Sequence, residues 1–218
     1  MVQSRTPAWL VLAALFVVAA TPASTQTLDY DVLHPWLGKI GTYENTILRQ
    51  GATVTIKSRM RVVARILGIV VHREYADRIE LWRDGRLIGF SGVTTINGDS
   101  VSMQGQARGN VFVITGPAGT ITAPADVTPN NPWSCDFIRG TTVFAVNTGT
   151  VEPVRVTGGQ PEVLDIAGRE TPTRHYRVES ASTHAQVWLN DQCVPVRMDV
   201  INNGTNISLV LTQETEAP

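Results

Sequence analysis

From Thr27 onward the apolar positions recur with a period of two. Leu28, Tyr30 and Val32 alternate with Asp29 and Asp31, and the pattern returns at Val54/Ile56 and at Val101/Met103 against Ser102 and Gln104. It also sets Ile79/Leu81 against Arg78, Glu80 and Trp82, with the aliphatic pair expected on the core face. Further on it runs through Tyr176/Val178, Ala185/Val187/Leu189 against Gln186 and Trp188, Val194/Val196/Met198/Val200 and Ile207/Leu209/Leu211. Alternation with this enrichment in β-branched residues predicts half-buried antiparallel strands. Between the runs stand Asp84-Gly85, Asn97-Gly98, Arg108-Gly109-Asn110, Ala167-Gly168 and Asn203-Gly204. Such pairs supply the positive φ angles of tight hairpins, so consecutive strands are expected to pair as a meander.

About a dozen strands in a chain of this length cannot lie in one flat sheet. The fold expected is all-β: a strongly curved antiparallel sheet, half-barrel or barrel, with a two-sheet sandwich as the other packing. At most one short helix is expected, near Pro132 to Ile138, after the turn-rich Thr128-Pro129-Asn130-Asn131. Residues 124–135 break the hairpin rhythm and read as a crossover within one domain spanning 24–218. Leu67-Gly68 reads as a bend or bulge in the long stretch from Thr53 to Trp82.

Residues 1–23 read differently. Arg5 precedes an uncharged apolar run from Ala8 to Ala20, and small residues follow at Ala23 and Ser24. The run is shorter than the ~20 residues of a transmembrane helix and suits a secretory signal peptide. The mature chain is thus expected to be periplasmic or secreted, with no membrane span after cleavage. In an oxidising compartment Cys135 and Cys193 become a candidate disulfide, the alternative being two separate buried thiols.

Composition adds exclusions. Eighteen Lys and Arg against nineteen Asp and Glu give a net charge of -1, which leaves no basic footprint for nucleic acid. There is no CxxC, no nucleotide-binding glycine motif and no HExxH, so neither a cofactor nor a metal is expected. Gly89-Phe90-Ser91-Gly92 lacks the second flanking glycine of a nucleophile elbow, since position 93 is Val. The four histidines, His34, His72, His175 and His184, show no metal-ligand spacing.

The order of several short fragments resembles a family of exported bacterial proteins grouped as a domain of unknown function. They are Tyr30-Asp31-Val32 with Ile40-Gly41, Leu81-Trp82-Arg83-Asp84-Gly85-Arg86-Leu87, Thr95-Ile96-Asn97-Gly98, Pro132-Trp133-Ser134, and Trp188 with Pro195-Val196-Arg197-Met198. The likeness extends over roughly Leu28 to Leu211. Such chains are similar in architecture to periplasmic lipoprotein carriers, whose half-barrel surrounds an apolar cavity. This resemblance implies a carrier or sequestering role for a lipid or another hydrophobic small molecule, and it supplies no catalytic residue.

The leading expectation is therefore a noncatalytic binder whose ligand lies between the curved sheet and the crossover, near Tyr30, His72, Trp82, Phe90 and Trp188. Two alternatives stand beside it. One is an isomerase, cyclase or lyase using His72 with Glu74 or Glu80 in the same cavity. The other is an envelope scaffold that recruits a protein partner through an exposed strand edge.

Overall fold

The computed structural model describes residues 23–218 apart from Pro132 and Asn203. The leader expected over residues 1–23 lies outside the described residues except for Ala23. Eight strands come first: β1 (Ser24–His34), β2 (Gly38–Gln50), β3 (Thr53–Ile66), β4 (Ile69–Arg83), β5 (Arg86–Ile96), β6 (Asp99–Arg108), β7 (Val111–Gly116) and β8 (Gly119–Pro124). A crossover carries β9 (Thr128–Pro129), a 3-10 helix (Cys135–Arg139), β10 (Thr142–Phe144) and β11 (Val151–Pro153). The last five strands are β12 (Arg155–Ile166), β13 (Arg169–Glu179), β14 (His184–Leu189), β15 (Pro195–Asn202) and β16 (Thr205–Ala217).

Thirteen of these form one antiparallel sheet in the order β12-β13-β14-β15-β16-β1-β2-β3-β4-β5-β6-β7-β8. Every neighbour is joined by a hairpin except β16 and β1, which pair along a central seam from Thr25↔Ala217 to Leu33↔Ser208. The sheet is not closed, and its edges are β12 and β8. The crossover leads from one edge to the other and folds its own small sheet, β11-β10-β9. A half-barrel is the result, with one short helical turn among the described residues.

Local chemistry explains the reversals. Asp84-Gly85, Asn97-Gly98 and Ala167-Gly168 each hold two consecutive positive φ angles, the signature of a two-residue hairpin whose twist matches its strands. Leu67-Gly68 does the same, with φ of 49° and 84°. That pair is a full reversal between β3 and β4, where a bend had been expected. Glycine at the second position lets the chain turn back on itself with only two residues.

Curvature comes from bulges and close approaches within the strands. The register shifts between Asp29 and Tyr30, between Ala64 and Arg65, and between Leu81 and Trp82. At Gly41 a Cβ would collide with the Arg61 carbonyl oxygen of the neighbouring strand, so only glycine lets the two backbones approach this closely.

On β4 the expected faces are exchanged. Glu74, Ala76, Arg78, Glu80 and Trp82 point into the cup and are buried, while Ile79 is 45% exposed on the outside. The reason is the crossover, which brings hydrogen-bonding partners to the concave face and makes a polar stripe tenable there. Elsewhere the alternation reads as expected, with Leu28, Tyr30 and Val32 buried in one row and Val187 and Met198 in another.

The crossover fills the half of the cup where β4 turns into β5. Phe144 of β10 packs edge-on against Phe90 at 5.1 Å and stacks on Phe112 at 6.1 Å. Cys135, at the start of the 3-10 helix, is disulfide-bonded to Cys193 in the β14–β15 turn, with Cα atoms 5.0 Å apart. This bond fixes the crossover to the opposite arm of the sheet, 58 residues away in sequence. On the chain-entropy account, the Cys135→Ser/Cys193→Ser double variant is expected to lose about 4 kcal/mol of stability. The denaturant midpoint against the oxidised wild type measures this, and an unchanged midpoint would mean that packing alone holds the crossover.

Candidate functional site

A meander sends alternate hairpins to opposite ends of the sheet. The β1–β2, β3–β4, β5–β6 and β15–β16 turns share one end, and the β2–β3, β4–β5, β6–β7 and β12–β13 turns share the other. The crossover occupies the second end, which leaves the first hollow. The resulting cavity holds about 770 Å³, within the ~300–1,000 Å³ of small-molecule sites. Its walls are mainly aliphatic: Val62, Val32, Leu209, Met198 and Val187 follow one another along a row across β3 to β14, with Phe137 on the crossover side.

The two ends differ in character. Around the mouth, Trp36 is 89% exposed and Leu67 97% exposed, and Leu37, Ile66 and Ile201 are also open to solvent. At the far end the turns carry Arg83, Asp84, Arg108 and Arg169. Exposed apolar side chains gathered at one rim mark an interaction site, whereas scattered ones do not.

The floor of the cavity is polar and buried. It is formed by Tyr43, Arg78 and Asn131. Tyr43 donates its hydroxyl to Asn131 Oδ1, and Asn131 Nδ2 donates to Glu80 Oε1 at 2.7 Å and to Ser58 Oγ at 3.1 Å. Ser58 in turn donates to Asn45 Oδ1 at 2.6 Å. Beneath the floor the other Glu80 oxygen accepts from Trp82 Nε1 at 2.9 Å and from Trp133 Nε1 at 3.1 Å. Strand β4 and the crossover thus meet on one carboxyl group. Complete burial pushes Glu80 up to about 7, against the lowering pull of its three hydrogen-bond donors and of Arg78.

Arg78 lies at the seam between sheet and crossover. Its Nη2 donates to Asn147 Oδ1 at 3.0 Å and more weakly to Thr94 Oγ1 at 3.4 Å, while Nε is buried without a partner. Burial lowers this guanidinium from its ordinary value. Asn147 also accepts from Thr94 at 3.1 Å, which secures the crossover a second time.

The residues singled out from sequence do not converge on one place. His72 lines the cavity near the mouth, with Nε2 3.5 Å from Glu74 Oε2. Tyr30 is buried at the central seam beside Tyr43, with ring centroids 5.8 Å apart. Trp82 packs edge-on against Trp133 at 5.8 Å beneath the floor, and Phe90 lies in the Phe112–Phe144 cluster. Trp188 alternates with the cavity-lining Ala185 and Val187 and faces the other side of the sheet. There it stacks on His175 at 4.4 Å under the Arg197 guanidinium and donates Nε1 to Glu162 at 2.9 Å.

Arg78, Asn131 and Asn147 escaped the sequence reading. One signal was available: Glu74, Arg78 and Glu80 sit at even spacing on a strand that also carries Ala76 and Trp82, a face too mixed for plain solvent exposure.

The raised Glu80 value has a definite sign in pH. Its folded value, about 7, lies above the unfolded 4.5, so the native state binds the proton more tightly. The stabilisation this proton provides is complete below 4.5 and is lost as pH rises through 7. The wild type is therefore expected to lose up to about 3 kcal/mol relative to Glu80→Gln between pH 4.5 and 7.5. Urea midpoints of both proteins across that range measure the difference, and parallel curves would exclude Glu80 as the titrating group.

No curated protein matches the sequence. Among solved structures, a beta-barrel-like protein of the domain of unknown function DUF1849 from Brucella abortus is similar with a TM-score of 0.67 and 10% identity, over 88% of this chain and 98% of that one. At such identity the likeness shows the β-barrel-like fold alone. A DUF1089 family protein from Pseudomonas aeruginosa aligns over 88% of this chain and 95% of its own at 14% identity, with a TM-score of 0.36, and carries no argument. The model of a domain of unknown function, DUF6134, matches residues 30–212, and the chain belongs to that family.

Proposed function

We propose that this protein is exported to the bacterial envelope or beyond and there binds a lipid or another hydrophobic small molecule in the hollow half of its cup. The observation that carries this reading is the aliphatic cavity of about 770 Å³, open at one end onto a rim of exposed apolar side chains. A chain inserted there would exchange water for Val, Ile, Leu and Met surface, a gain of roughly 25 cal/mol per Å² before association costs. The apolar rim gives such a molecule a path that is not wholly aqueous. Leu67 supports the same reading: a β-hairpin tip ordinarily uses Asn or Asp in this left-handed conformation, yet here it holds a fully exposed leucine. The expected leader and the disulfide both fit an oxidising, extracytoplasmic setting.

Binding is favoured over acid/base catalysis by how the carboxyl groups are used. Glu80 lies beneath the floor with its oxygens held by Asn131, Trp82 and Trp133, and it does not line the cavity. His72 has Glu74 as its cavity partner, with Nε2 3.5 Å from Oε2.

The test is saturable binding of N-phenylnaphthylamine and its displacement by long-chain lipids. Ala64→Trp/Val200→Trp, which places bulk on the cavity wall from each arm of the sheet, is expected to weaken probe binding at least about 10-fold while the melting transition stays cooperative. Failure of the wild type to bind the probe, together with native mass spectra free of co-purified lipid, would overturn the proposal.

A further inference from the structure

The cavity floor contains a buried cation that no carboxylate contacts directly among the described residues, Glu74 and Glu80 acting on it only at longer range. Arg78 is 7% exposed, and among the described residues it forms no salt bridge. Two neutral oxygens, from Asn147 and Thr94, share its Nη2, and its Nε is buried without an acceptor. The carboxyl groups on the same strand face are otherwise engaged: Glu74 lies beside His72 towards the mouth, and Glu80 serves the two tryptophans and Asn131. A buried guanidinium left in this condition is expensive, and a planar anion is the partner its forked geometry fits best. Arg78 also lies six residues along β4 from His72 at the mouth, roughly 20 Å of strand, a distance an extended alkyl chain can span.

Building on the cavity reading, we infer that the ligand is an anionic amphiphile that enters head first, with its carboxylate or phosphate on Arg78 and its alkyl chain running up to the apolar rim. Asn147 would hold the guanidinium in place, and Tyr43 and Asn131 would border the head group. The polarity of the site is then the reverse of a surface-bound lipid: charge at the bottom, hydrocarbon at the opening.

Four probes with one chain length decide the matter: dodecanoate, dodecyl phosphate, dodecanol and dodecyltrimethylammonium, each displacing N-phenylnaphthylamine from the full mature chain. The wild type is expected to bind at least one of the anions about 10-fold or more tighter than the alcohol, and the cation most weakly. The order of the two anions separates a fatty-acid-like head from a phospholipid-like one. In Arg78→Gln the preference for the anion is expected to vanish while dodecanol affinity changes by no more than about two-fold, and Arg78→Lys is expected to keep part of it. Equal binding of anion and alcohol by the wild type would overturn the inference while leaving the cavity reading intact, as would a preference that survives Arg78→Gln. If no probe of any charge binds, the cavity reading itself falls and takes this inference with it. Should both variants fail to fold, the wild-type comparison of anion with alcohol remains decisive.

Discussion

One buried carboxyl group organises this molecule. Glu80 accepts a hydrogen bond from its own strand through Trp82, and two from the crossover through Asn131 and Trp133. A strand can turn a glutamate inward only if every lone pair finds a donor, and the crossover can lie in the cup only if its amide and indole N–H groups find acceptors. Each requirement meets the other. The disulfide to Cys193 anchors the same segment to the other arm, so the plug is held from both sides of the half-barrel.

Division of the cup follows from that anchoring. The crossover brings Phe144 to Phe90 and Phe112 and leaves the opposite end without filling. Curved strands require small residues and bulges where they bend, and the sheet has them at Gly41 and near Tyr30, Ala64 and Trp82. The hollow is thus the remainder of a sheet long enough to extend past its plug. Strands of up to 15 residues, well beyond the usual ~5–6, provide that length.

Much of this architecture was legible in the chain. Asp84-Gly85 and Asn97-Gly98 dictate hairpins by backbone geometry alone, and alternation such as Leu28/Tyr30/Val32 assigns faces wherever one side is dry. The strand count demands curvature. What could not be read was the face of β4, because alternation identifies a core side only when the core is apolar. Here Arg78 and Glu80 are buried through partners some 50 to 70 residues away, Asn131 and Asn147. The site was obscured for the same reason. Trp82 and Phe90 have the composition of ligand contacts but are consumed by packing against the crossover, and Trp188 is covered by His175 and Arg197 on the outer face. His72 is the singled-out residue that lines the cavity.

The pairing of β1 with β16 has a bearing on how the molecule is completed. Each arm of the sheet is a run of hairpins that closes through short-range contacts, but the two arms join through long-range pairing, where Gln26 meets Glu214 across 188 residues. The cavity straddles that joint, with Val32 and Val62 contributed by one arm and Met198 and Leu209 by the other. A molecule lodged between them touches both halves and stabilises the joined form over the open one. On the proposed binding role, such a ligand would act as a clasp on the seam, and an empty cup would be the state in which the two arms come apart most readily.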